Sequence, residues 1–355
     1  MKTLDCKITF NTPAFLGNAE QHGQWRTPPF KALLRQWWRI AYAAEFANKL
    51  SVDLMRGEEG HLFGMASDQR NGSRKSLIRL RLDQWSIGEQ RDWSGLDSSR
   101  VVHPEVKNRE GKPVAVGAHL YLGYGPLKFE RNQTALKQNA AIQAGESASL
   151  SIACPDDALP LIQTALELID RYGTIGGRSR NGWGSFSLQA ASAESSADRP
   201  FLREALFRSW SDCLNQDWPH AIGTDQTGPL IWQTTRTFSQ WRGVMSELAR
   251  LKIWLRTQFA FSSGHGALKP EQRHWLSYPV THHAVPAWGN KARLPNSLRF
   301  KVRPEPDGQL RGVILHVPCL PPEDPFHPNR RDIERLWGQV HAYLDQADSL
   351  TRTPE

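Results

Sequence analysis

Residues 172–186 read YGTIGGRSRNGWGSF, with glycine at positions 173, 176, 177, 182 and 184. No regular element tolerates that density, because glycine loses the most backbone entropy on ordering and brings no side chain to pack. The stretch is therefore a loop whose backbone takes positive φ or lies close against something. Its flanks fix its place. Before it, DDALPLIQTALELIDRYG (156–173) puts Leu159, Ile162, Leu166 and Ile169 on one helical face. Asp156 or Asp157 is the expected N-cap, Pro160 falls in the first turn, and Gly173 is the C-terminal stop. Behind it, SFSLQAA returns to period two, a strand. A glycine loop running from helix to strand excludes the P-loop, which runs from strand to helix and carries a lysine. The dinucleotide fingerprint fails on order and spacing as well.

The same reasoning extends along the chain. TLDCKITF (3–10) alternates Leu4, Cys6, Ile8 and Phe10 with polar residues, a half-buried strand. After a turn-rich segment, Pro28-Pro29 opens a helix over about 29–48 with Phe30, Leu33, Leu34, Trp37 and Ala41 inward. Strands are expected within 76–83 and 148–154, separated by an irregular insertion, 84–146, in which VGAHLYLGYG (116–125) reads as a strand or hairpin arm. Small polar residues at 191–200 mark a boundary, followed by a linker helix over about 201–214. Beyond it come a strand within 229–238 and a helix over 240–259 carrying Val244, Leu248, Leu251 and Leu255. A Gly/Pro/His-rich loop (262–296) precedes strands 297–304 and 310–318, joined at Asp307-Gly308, and a last helix (329–347) starts near Asn329. Strand, helix, strand, strand, helix occurs in both halves, with a closing strand visible only in the first. The pattern predicts an α+β chain of two tandem ferredoxin-like (RRM-like, split βαβ) domains, 1–195 and 229–355, with 196–228 as linker.

Charge narrows the partner. The 355 residues carry 44 Lys+Arg against 36 Asp+Glu, a net +8, which favours a polyanion. Cys6, Cys154, Cys213 and Cys319 are far apart, which suits a reducing compartment and not a disulfide framework. With no signal-like or membrane-length apolar run, a cytoplasmic protein with no membrane contact is expected. The site chemistries are sparse. His282-His283, His316 and His327 lack metal-ligand spacing, no nucleophile elbow occurs, and Asp68, Asp83, Asp97 and Glu105 are scattered. No cofactor or metal is expected. His22, His61 and His103, in or near loops, stay open as bases for metal-independent RNA cleavage.

Two cationic features each admit two readings. Lys31, Arg35 and Arg39 follow one another at i, i+4 and i+8, with Trp38 among them. They are either a solvated flank with Trp38 at the core edge, or a basic and aromatic stripe facing a nucleic-acid backbone. The glycine loop is either a tight strand-entry turn with surface arginines, or backbone bared to an anion. In the second case Arg178 and Arg180 supply charge and Trp183 stacks a base.

IGGRSRNGWGSF resembles the glycine-rich loop of the RAMP superfamily (repeat-associated mysterious proteins) of CRISPR RNA-guided complexes. FNTPAFLGNAEQHGQWRTPPFKALLRQWWR resembles the N-terminal motif of the family supplying subunit one of the type III-B Cmr effector. It departs from that motif at Asn18, Thr27 and Lys31. ARLPNSLRFKV looks like that family's closing β-hairpin. The resemblance implies a non-catalytic subunit that binds single-stranded RNA near the 3′ end of the guide, helps admit target RNA, and touches backbone and end-cap Cmr subunits. On that basis Arg26, Lys31, Arg35, Trp38, Arg39, Gly176, Gly177, Arg178, Ser179, Arg180, Asn181, Gly182 and Trp183 are the expected RNA contacts. A guide-processing endoribonuclease of the same superfamily and a purely structural cap are the rival readings.

Overall fold

β1 (Lys2–Phe10) turns Cys6, Ile8 and Phe10 inward, as its alternation predicts. It occupies the middle of a four-stranded antiparallel sheet because hydrogen-bond partners flank it on both sides. β3 (Ser147–Cys154) sets Leu150 opposite Cys6, and β4 (Phe186–Ala190) sets Phe186 opposite Phe10. With β2 (Arg79–Leu82) the sheet order is β2-β3-β1-β4. α1 (Thr27–Glu45) and α2 (Leu159–Tyr172) pack on this sheet, sealing Phe30, Leu34, Ile169, Leu150 and Phe186 into one core. These details come from a computed structural model, which describes residues 1–66, 72–96, 99–137, 140–190, 204–263 and 266–353.

The second half repeats the order. β5 (Ile231–Thr234), α3 (Trp241–Thr257), β6 (Leu298–Pro304), β7 (Leu310–His316), α4 (Arg330–Asp345) and β8 (Leu350–Arg352) give an antiparallel sheet in the order β6-β7-β5-β8. β8 is the closing strand that the sequence pattern does not show. At three residues it is too short to display a period of two. α4 starts beside Asn329 as expected, and Asn329 caps it, accepting from the N–H of Arg331 at 3.0 Å.

This second sheet is buried on both faces, and that joins the halves. Phe300, Val302 and Ile314 enter the second core, whereas Ile231, Val313 and Leu315 enter the first. On β6 the residues between the apolar ones also point at the first half. The Arg299 guanidinium lies over the Trp37 ring of α1, 5.1 Å from its centroid. Lys301 Nζ donates to the carbonyls of Ile169 (3.2 Å), Gly173 (2.7 Å) and Phe186 (2.7 Å).

Several expectations are corrected. Ala158, not Asp156 or Asp157, stands at the N-cap of α2, and no side chain caps it. The Asp156 carboxylate instead takes the chain's amino terminus at 3.0 Å. Leu159 and Leu166 are only half-buried, while Ala165, Leu168 and Tyr172 complete the inner face. Of 116–125, only the first two residues end a strand, Pro113–Gly117, and Ala118–Gly123 is a short helix, because Ala118 and Leu122 turn onto the second core. The expected linker helix is a 3-10 turn (Glu204–Leu206), a strand (Phe207–Ser209) and a four-residue helix (Trp210–Cys213). The loop 262–296 contains a helix, Gln272–Leu276, and a further helix, Val52–Phe63, follows α1. The expected boundary at 191–200 and the start of the linker helix lie outside the described residues, as do Asp68 and Asp97.

Candidate nucleic-acid interface

The glycine loop is pressed against its own chain. Gly176 takes φ +90, and a Cβ there would sit 2.7 Å from the carbonyl oxygen of Phe15. Gly184 takes φ +64, and a Cβ there would sit 1.9 Å from that of Ile175. The N–H of Gly177 donates to Phe15 O (2.9 Å), that of Gly184 to Pro13 O (2.9 Å), and Thr12 Oγ1 to Gly182 O (2.8 Å). So TPAFLG (12–17) and the loop form one wall, and the glycines serve that close approach. Most of the backbone expected to be bared for RNA is covered by protein. Gly176 is exposed, Gly177 and Ser179 half-buried, and Gly182 buried. The Asn181 side chain pins the loop by donating to Leu122 O (2.7 Å) and accepting from Lys252 Nζ (2.5 Å).

The two tryptophans expected to stack bases are both core residues. Trp183 is 0% exposed, with ring centroids of Phe15, Trp93 and Trp241 at 5.3, 5.6 and 5.8 Å. Trp38 is 1% exposed, against Tyr42 and Phe63 at 5.0 and 5.7 Å. Neither has a face left for a base. The aromatic that does stand in solvent beside the loop is Tyr124, 65% exposed. It is next in sequence to Gly125, and the Arg178 guanidinium lies 3.4 Å from where a Cβ on Gly125 would be.

The cations divide into two groups. On α1, Arg35 and Arg39 both turn to the buried Glu59 carboxylate of helix Val52–Phe63, Arg39 Nη2 reaching Oε1 at 2.8 Å. That qualifies the expected stripe: one carboxylate engages two of its three cations and offsets one charge. Lys31 is half-buried beside Arg35, and burial followed by that neighbouring charge lowers its pKa. Arg26 is the N-cap of α1, with its Nε buried and without a partner. Around the glycine loop the balance differs. Arg178 is exposed, with no ion pair among the described residues. Arg180 Nη1 donates to Asn296 O (2.7 Å). Lys252 and Arg256 of α3 are half-buried, Arg256 against Ser277 (2.9 Å) and Tyr121. Arg273 alone of this group reaches a carboxylate, Glu105, at 2.6 Å. Burial, then the charges of Arg256 and Arg178, pull the Lys252 pKa down to about 7. Sequence reasoning missed Tyr124, Lys252, Arg256, Arg273 and Arg299. The one available signal was Lys252 and Arg256 at i, i+4 on a single helix.

Of the histidines open as bases, His103 is buried, its ring against Tyr121 at 5.6 Å, with its pKa lowered chiefly by burial. His22 is half-buried and His61 exposed. Asp83 accepts from the N–H of Ser149 at 2.9 Å. Among the described residues no group of three or more His, Cys, Asp or Glu could hold a metal ion, and no helix is long and apolar enough to cross a membrane.

An α+β chain with a helix-to-strand glycine loop set among unneutralised cations is the class of protein defined here. Residues 7–187, just over half the chain, match the RAMP superfamily model, and the chain belongs to that superfamily. Among solved structures it is similar to Cmr1 from Pyrococcus furiosus in its apo form, at 14% identity and a TM-score of 0.44, over 99% of this chain and 98% of that one. It is also similar to a chain of the type III-B Cmr-beta complex bound to cognate target RNA, at 12% identity and a TM-score of 0.47, over 96% and 100%. No curated protein matches it.

Proposed function

We propose that this chain is a non-catalytic RNA-binding subunit of a type III-B CRISPR complex, built from two ferredoxin-like units divided near residues 196–228. It binds single-stranded RNA close to the 3′ end of the guide and contacts neighbouring Cmr subunits while target RNA is admitted. One observation carries the reading. Arg178, Lys252 and Arg256 crowd one another beside the glycine loop and Arg180 stands on it, and none of the four forms an ion pair among the described residues, although Glu105, paired to Arg273, is near enough to act on Arg256. Cations so placed repel one another in a partly desolvated setting, and an anionic strand relieves that cost. Arg178 and Tyr124 are the outward members, a cation for a phosphate and a ring for a base. RAMP membership and the likeness to Cmr1 are consistent with it.

The test is binding of labelled single-stranded RNA against salt, with cleavage monitored in the same tubes, for wild type and Arg178→Ala. The reading expects binding without cleavage, and a salt slope about 0.7 smaller in the variant for the lost phosphate contact. Metal-independent cleavage would favour the endoribonuclease. No binding at low salt would leave the structural cap.

A further inference from the structure

A cavity of about 140 Å³ opens beside β6, walled by Trp275, Trp337 and a run of prolines. Three arginines are among its lining residues, Arg180, Arg293 and Arg299, with Arg180 close enough to act on the Arg299 guanidinium, and the acid among them is Asp217. They come from distant parts of the chain and are brought together by backbone pairing. Phe300 N donates to Arg180 O at 3.1 Å, a bridge that sets the glycine loop alongside β6. Arg180 is then tied down by Asn296 O, while Asn296 Oδ1 accepts from Leu298 N at 2.8 Å and fixes the entry to the strand. Arg293 donates to the carbonyls of Asn290 (3.2 Å) and Ala292 (2.7 Å) at the rim.

Arg299 is the informative member. It is 8% exposed, it stacks on Trp37, and its Nε is buried without a hydrogen-bond partner. No carboxylate or carbonyl reaches its guanidinium among the described residues. A buried guanidinium left with open donors costs several kcal/mol unless something accepts from it. Burial, with Arg180 next to it, pulls its pKa down to about 9, so it still carries its charge at neutral pH. The Cys319 thiol at the same cavity is pushed up to about 11 and is neutral there.

We propose that this cavity is a binding pocket for a phosphomonoester group. Three guanidiniums against one carboxylate leave a surplus that a dianion matches and a phosphodiester, with its single charge, half fills. The planar forks of arginine suit phosphate oxygens. A cavity near 150 Å³ admits a molecule the size of benzene, which is room for a phosphate. The group has two sources, a free phosphate or nucleotide and the phosphorylated end of an RNA. The pocket stands on its own residues and does not require the RNA reading.

The experiment uses the whole chain at fixed ionic strength, with tryptophan fluorescence and calorimetry as readouts, since Trp275 and Trp337 line the site and Trp37 stacks on Arg299. The probes are inorganic phosphate, AMP, and one short RNA with and without a 5′ or 3′ phosphate. Arg293→Gln keeps the fold intact because Arg293 is at the rim, and Arg299→Met keeps the packing on Trp37. Saturable binding of phosphate or AMP that weakens at least tenfold in both variants supports the pocket with a free ligand. A tenfold preference for phosphorylated over unphosphorylated RNA, lost in Arg293→Gln, supports it with an RNA end. If phosphate and AMP do not bind and RNA binds equally with or without its terminal phosphate, the pocket is refuted and the RNA reading survives. Phosphate binding without RNA binding leaves the pocket and removes that reading.

Discussion

Lys301 of the second sheet donates its ammonium to the carbonyl of Gly173, at 2.7 Å, just beyond the C-terminus of α2 in the first half. The same ammonium reaches Ile169 O and Phe186 O, so one side chain closes the helix end, the glycine-loop entry and the start of β4. Helix C-termini leave orphan carbonyls that need donors, and Lys301 Nζ supplies them in either protonation state.

Burial draws Lys301 and Lys252 down to about 7, against about 10.5 for a free lysine. In that window the unfolded chain holds protons that the folded chain has released, so stability rises with pH. Above pH 9 the buried thiols of Cys6 and Cys213, raised to about 12, act in the opposite direction. Melting temperature should therefore climb between pH 7 and 9. Lys301→Met should flatten that climb and cost about 2–4 kcal/mol, because three carbonyls lose a donor. Denaturant melts at pH 7, 8 and 9 check both; a slope unchanged in the variant would count against Lys301 as its source.

Gly184→Ala should be among the most damaging single changes in the chain. The added Cβ meets a backbone oxygen at 1.9 Å and the site needs φ +64, so neither neighbour nor chain can give way cheaply. The expected outcome is a loss of more than about 3 kcal/mol or failure to accumulate folded protein. Gly111→Ala, at φ +78 but with nothing near it, should cost only about 1 kcal/mol. Comparing their melts separates close packing from φ alone.

Trp183 and Tyr124 should exchange the roles their residue types suggest. Trp183→Ala empties the middle of an aromatic cluster and should cost about 3–5 kcal/mol of stability. Tyr124→Ala, in solvent, should move stability by less than about 0.5 kcal/mol. If Tyr124 stacks a base, the same variant loses about 1–3 kcal/mol of RNA affinity. Urea melts paired with RNA titrations read the two effects separately.

How far the fold was legible follows from where periodicity survives. β1, α1, α3 and the paired strands of the second sheet each show a clean period of two or 3.6, and their order is as read. The site was less visible because burial, not residue type, decides it. LRFKVRP alternates like a strand with one wet face, yet Arg299 and Lys301 are buried against the first half. Lys252 and Arg256 look like the polar side of an amphipathic helix until segment 100–121 packs on that helix, and the strand or hairpin arm read at 116–125 gives no sign of that packing. Trp38 and Trp183 carry the same chemistry in a core or on a nucleic acid; only the neighbours that assemble around them distinguish the two. The family motifs pointed to the glycine loop and α1, and there Trp183 and Trp38 face inward.

Glu59 offers the sharpest test of the α1 cations. Burial alone would raise its pKa, but hydrogen bonds and charge from Arg39 and Arg35 overcome that and hold the carboxyl below its usual 4.5. A depressed carboxyl contributes stability in full above its unfolded pKa and loses it as pH falls through the folded value. Wild type should therefore lose stability below about pH 4.5, and Glu59→Gln should lose it already at pH 7 while showing a shallower acid decline. The cost at pH 7 should be about 1–3 kcal/mol, below the range for a fully buried broken pair, because both arginines can recover water. If Glu59 keeps Arg35 and Arg39 from RNA, Arg35→Gln with Arg39→Gln should leave the salt slope of RNA binding unchanged within one contact, about 0.7. A slope falling by twice that amount would return the α1 stripe to the RNA-binding surface and make Glu59 its competitor.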